Sequence, residues 1–171
     1  WPMTTYFKIF APYVVDQNLD RLIYLDVDTI VQSDIAELWQ TEMGDFILAA
    51  AQDISLNVSC EWAGIPNYND LGIASDAMYF NAGVLVFKPK EWREQKIAIQ
   101  IMDALVKYKQ HVVFADQYGL NVVMVNKWKQ LDPRWNWFAS KECSNPYLIH
   151  FLAIKPIFTS YNSQPVFQEY F

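Results

Sequence analysis

The sequence is poor in the residues that staple, hinge or anchor a chain. It has two cysteines, Cys60 and Cys143, and five glycines in 171 residues. Two thiols build neither a disulfide framework nor a cysteine-rich metal site, and they point to a reducing compartment. No stretch approaches the roughly 18 consecutive apolar residues of a membrane span. No basic-then-apolar leader opens the chain, so no secretory signal is expected. A basic surplus is also missing: 13 Lys and Arg stand against 19 Asp and Glu, a net charge of −6. Without excess cations to neutralise phosphates, nucleic acid is not an expected partner. Charged residues make up 19% and hydrophobic ones 53%, so a sizeable core is expected rather than disorder. What is abundant is aromatic, with 7 Trp, 10 Tyr and 11 Phe. Such side chains fill a core, or they offer flat faces to sugar rings.

The length suits one domain, or a large part of a longer one. Short apolar runs alternate with helical patterns, which predicts an α/β class. Apolar residues at helical spacing predict a helix over 4–14, with Pro12 near its end. Strands are expected over 21–25, 46–51, 78–87 and 147–151. Asn81-Ala82-Gly83 interrupts the third of these, and Gly83 suggests close backbone approach or a kink. Ser33 is the expected N-cap of a helical turn that ends at Trp39. Residues 54–77 lack periodicity and read as a long loop of the kind that forms a lid or binding surface. Pro89 opens a long helix to about Lys109, and acidic Asp116 opens another over 116–125.

Four constellations carry chemistry. Asp26 and Asp28 follow an apolar strand, and at i and i+2 on a strand they face one side. Both can then converge on one hard cation, although two solvated turn acids would read the same way. His150 stands in an apolar run with Lys155 five residues later. It is either a satisfied core histidine or a nitrogen ligand, with the lysine on a phosphate. Asn81, inside an apolar strand, needs hydrogen-bond partners, and a ligand hydroxyl is one candidate. Asp116 and Gln117 open a helix, where they could equally be caps.

In order, the segments RLIYLDVDTIVQSDIAELW, AAAQD, YFNAGVLVFKPKEW, FADQYGLN and LIHFLAIKP resemble the family 8 glycosyltransferases. The resemblance, which also takes in Thr5 to Lys8, runs over nearly the whole chain. It implies the GT-A fold of nucleotide-diphospho-sugar transferases: a mixed, mostly parallel sheet flanked by helices. It further implies that 1–171 is a single but partial domain, lacking the family's N-terminal strands and uracil pocket. The implied activity is a retaining transfer of galactose or glucose from a UDP-sugar to a glycan, lipopolysaccharide or protein-linked acceptor. Asp26, Asp28 and His150 would hold Mn²⁺ or Mg²⁺. Lys8, Asp26, Asp53, Asn81, Gly83, Asp116, Ala153 and Lys155 would contact the donor. Gln117 would lie beneath the anomeric carbon, with Asp116 as its catalytic neighbour. A cytoplasmic location is implied, with peripheral association at the inner face of a bacterial membrane.

The chain departs from the family pattern at several places. Lys8 replaces an arginine and loses its bidentate fork. Ala153 replaces a glycine, Lys155 comes one residue early, and Ile157 replaces a tryptophan. Two other readings stand beside the transferase. One is a sugar-binding or scaffold protein on a degenerate transferase fold. The other is a haloacid-dehalogenase-type phosphatase, suggested by Asp26-Val27-Asp28-Thr29 after a strand.

Overall fold

The computed structural model describes residues 2–170. A 3₁₀ turn, Met3–Tyr6, runs into α1 (Phe7–Val14). Then come β1 (Leu22–Leu25), β2 (Thr29–Val31), α2 (Ile35–Trp39), β3 (Leu48–Asn57) and β4 (Met78–Phe87). Helices α3 (Pro89–Glu94), α4 (Ile97–Lys107) and α5 (Ala115–Met124) follow, and then the short strands β5 (Lys129–Gln130), β6 (Trp137–Phe138) and β7 (Leu148–His150). Four strands form one sheet in the order β1-β4-β3-β5, and three form a second in the order β2-β7-β6. The β3–β5 and β6–β7 pairs are parallel, whereas β1–β4, β3–β4 and β2–β7 are antiparallel. The sheets are therefore mixed, with antiparallel pairs in the majority among the described residues.

The continuous apolar run of β4 reflects burial on both faces. Leu85 and Phe87 join the core beneath α3, α4 and α5, while Val84 and Val86 join a second core with Leu38, Met43, Trp135 and Leu148. Alternate side chains of one strand thus serve two layers. Strand β4 is unbroken through Asn81-Ala82-Gly83, yet its ladder with β3 jumps from Ala50↔Leu85 to Gln52↔Phe80 at that place. The expected interruption lies in the pairing, not in the strand.

The expected helix over 89–109 is two helices. Lys96 adopts a left-handed φ of 53° between them. The break lets Trp92 pack edge-on to Phe87, at 4.9 Å between ring centroids, and donate to Ile9 O, while Ile101 and Leu105 pack against α5 at Gly119. The cap of α2 is Asp34 rather than Ser33, because its carboxylate accepts from Ala36 N–H at 2.9 Å. Strand β3 runs six residues past the expected Ala51, to Asn57. The loop beyond it is packed: Val58, Ala63 and Ile65 are buried, and Asn67 accepts from the Tyr118 hydroxyl at 2.7 Å. Both cysteines are free thiols. Among the described residues, no helix is long and apolar enough to cross a membrane.

Candidate metal and donor site

Strand β1 leaves the first sheet at Asp26, whose N–H donates to Gly83 O at 2.8 Å. The chain then turns, with Thr29 Oγ1 donating back to Asp26 O at 2.8 Å. Asp26 and Asp28 consequently stand on a turn rather than on a strand, with Val27 fully exposed between them. Strand β2 pairs with β7 so that Thr29 faces His150 and Phe151 N–H donates to Asp28 O. That register brings a histidine from the far end of the sequence to the carboxylates. His150 Nε2 is 3.2 Å from Asp28 Oδ1 and 4.0 Å from Asp26 Oδ2. One ligand atom from each of the three residues lies within 4.8 Å of the other two.

Lys155 Nζ lies 2.5 Å from Asp28 Oδ2 and also donates to Phe151 O. Burial alone would raise the Asp28 carboxyl, but its neighbours His150 and Lys155 prevail and hold it well below the usual carboxylate range. Lys8 is buried and pairs with Asp26 Oδ1 at 2.9 Å and Asp116 Oδ2 at 3.0 Å, and it donates to Ala82 O at 3.0 Å. Its three donors thus all have protein partners, and its role in this geometry is to hold the two carboxylates. Burial pushes the Asp116 carboxyl up, against the pull of Lys8. The Tyr24 hydroxyl donates to Asp26 Oδ1 at 2.8 Å, and burial, then the charge of Asp26, push its pKa up.

Behind the carboxylates runs a buried polar chain. Asp53 Oδ2 accepts from Asn81 Nδ2 at 2.9 Å and from Gln117 Nε2 at 3.2 Å, and Gln117 Oε1 accepts from Ala82 N–H. Asn121 pins α5 to β4 by accepting from Phe80 N–H and donating to Phe80 O. At the head of α5, Ala115 has a φ of 25°, a strained conformation for a non-glycine residue, which sets the direction in which Asp116 and Gln117 leave the turn.

A cavity of about 730 Å³ is lined by Lys8, Asp26, Asp28, Asp53, Asn81, Asp116, Gln117, His150, Ala153 and Lys155. Only Gly83, among the residues expected at the site, does not line it. Gly83 has a different reason to be glycine: a Cβ there would sit 2.2 Å from His150 Cε1 and 2.9 Å from Asn81 Oδ1. The sequence reading missed Asn136, which touches His150, and Trp62, which stands more than half exposed at the cavity. The one available signal for Asn136 was a polar residue between Trp135 and Trp137.

The donor set fits a divalent ion. Two carboxylates and one imidazole, with ligand atoms within 4.8 Å of one another, can coordinate one such ion. The cavity's four carboxylates against two lysines leave a formal −2 that such an ion would cancel.

The sequence profile of glycosyl transferase family 8 matches residues 1–158. The chain belongs to this family. Membership sets aside the phosphatase reading. The chain is 25% identical over 187 residues to General stress protein A of Bacillus subtilis, covering 97% of this chain and 63% of that protein. It is 30% identical over 125 residues to a putative glycosyltransferase of Haemophilus influenzae, covering 71% of this chain and 35% of that one. Its structure superposes on the galactosyltransferase LgtC, solved with donor and acceptor sugar analogues, with a TM-score of 0.76 at 24% identity. That match covers 94% of this chain and 62% of LgtC, and it shows the α/β GT-A fold. The chain spans less than two thirds of the length of these relatives.

Proposed function

We propose that this chain forms the metal- and donor-sugar-binding part of a retaining hexosyltransferase that takes galactose or glucose from a UDP-sugar. The observation that carries the reading is the convergence of Asp26, Asp28 and His150, within 4.8 Å, on a cavity also lined by Asp53, Asn81, Asp116 and Gln117. Asp26, Asp28 and His150 would hold Mn²⁺ or Mg²⁺, which when bound supplies Lewis-acid stabilisation to a departing diphosphate. Lys155, which lies on Asp28 at the cavity, would offer its ammonium to a diphosphate oxygen. Asp53, Asn81 and Asp116 offer acceptors and donors to sugar hydroxyls. Gln117 presents an amide dipole rather than a strong nucleophile, which suits a path in which leaving group and acceptor share one face of the sugar. Trp62 offers a stacking face at the rim for a glycan acceptor.

Binding of UDP, measured with Mn²⁺ added to the native polypeptide and to its Asp28→Ala variant, tests this reading. The expected result is metal-dependent UDP affinity that Asp28→Ala abolishes. Equal affinity in both proteins refutes it. Glycan binding that needs neither metal nor UDP would instead support the scaffold reading.

A further inference from the structure

We propose that Asn136 is a positioning residue that sets the tautomer of His150, at the end of a directed hydrogen-bond chain beginning at Asp53. The direction follows from donor and acceptor chemistry. An ionised carboxylate only accepts. Asp53 Oδ2 therefore commits the amide nitrogen of Asn81, 2.9 Å away. The Asn81 oxygen must then face the opposite way, and there it accepts from Gly83 N–H and from Asn136 Nδ2, each at 2.9 Å. A backbone N–H only donates, so the Asn81 amide is pinned from both sides. With its nitrogen on Asn81, Asn136 turns its oxygen to His150 Nδ1 at 2.8 Å. An amide oxygen only accepts, so Nδ1 carries a proton, and in the neutral ring Nε2 then presents its lone pair to the space it shares with Asp26 and Asp28.

The chain acts against the local electrostatics. A neutral imidazole with Nε2 3.2 Å from a carboxylate would otherwise place its proton on Nε2, the form that cannot ligate. Asp53, Asn81, Asn136 and His150 are all at most 6% exposed, which limits competition from water for these bonds. Asn136 owes its position to the register of two short strands: β6 begins at the next residue and pairs Phe138 with His150. Gly83 completes the arrangement, because its missing side chain leaves room for the His150 ring. Such outer partners orient a ligand's ring and raise its basicity.

The consequence for metal affinity rests on the proposed function; the tautomer does not. The test uses ¹⁵N-histidine-labelled protein without metal, at a pH where the ring is neutral, with His150→Gln assigning the signal. The wild type is expected to show a protonated Nδ1 and a bare Nε2. Asn136→Ala should move the proton to Nε2 and weaken Mn²⁺ binding, read by calorimetry, by roughly 10–100-fold. Asn136→Asp, which keeps an acceptor at Nδ1, should retain the wild-type tautomer and bind Mn²⁺ more tightly than Asn136→Ala. It also serves if the alanine variant does not fold. A wild-type ring protonated on Nε2 overturns the proposal, as does an Asn136→Ala variant with unchanged tautomer and affinity. If the wild type has the expected tautomer yet binds no Mn²⁺, the proposed function fails while the assignment of Asn136 stands.

Discussion

Gly83→Ala adds one methyl group at the most crowded point of the site. Its Cβ would meet His150 Cε1 at 2.2 Å, His150 Nδ1 at 2.7 Å and Asn81 Oδ1 at 2.9 Å. All are closer than ordinary van der Waals contact. The glycine cannot retreat, because its O accepts from Asp26 N–H and its N–H donates to Asn81 Oδ1. The ring cannot retreat either without leaving Asn136 and the paired carboxylates. Overpacking of this kind costs about 1–3 kcal/mol, and a rigid backbone on one side puts the expectation near the upper figure. At about 2–4 °C per kcal/mol for a chain of this size, the melting temperature should fall by roughly 6–12 °C. The useful control is Gly119→Ala, whose Cβ would meet Ile101 Cγ2 and Leu105 Cγ at 2.9 Å between α4 and α5. It should destabilise by a similar amount, measured by urea titration, and leave Mn²⁺ affinity alone. Gly83→Ala should lower both stability and affinity. If Gly83→Ala leaves the urea midpoint and the Mn²⁺ affinity at wild-type values, the placement of His150 against β4 is wrong.

Two further outcomes are expected. Lys8→Met removes the cation that Asp26 and Asp116 share. Breaking a buried ion pair on one side costs about 3–5 kcal/mol, and partly exposed Asp26 places the expectation at the lower end. Asp116, already pushed up by burial, would lose the lysine that opposes the shift. Its folded form then binds protons that the unfolded form releases, so the variant's deficit in urea should shrink as the pH is lowered toward the carboxylate range. Second, Mn²⁺ at a hundredfold excess over its dissociation constant should stabilise the wild type by about 2.7 kcal/mol. Chelation should reverse the gain, and Asp28→Asn should show none in thermal melts.

Much of this was legible in the linear order of residues. Long, strongly patterned elements announce themselves, and β4 and α5 came through because apolar runs and an acidic helix start are local properties. The family was legible for the same reason: its motifs are short contiguous strings. Local patterning failed where a neighbour decided the outcome. Nothing in residues 89–109 signals the break at Lys96, which follows from Trp92 and Ile101 packing on different partners. Asp34 won the cap from Ser33 through side-chain geometry that both residue types satisfy on paper.

By itself the sequence determined the α/β class, the pairing of Asp26 with Asp28, and the list of polar residues that interrupt apolar segments. Which of these polar residues meet was decided only in three dimensions. The β2–β7 register set His150 beside Asp28, and the β6–β7 register set Asn136 behind His150. Strand register is a long-range choice, made by the burial of whole faces rather than by any one residue. A histidine and an asparagine 14 positions apart carry no local sign that they will share a proton.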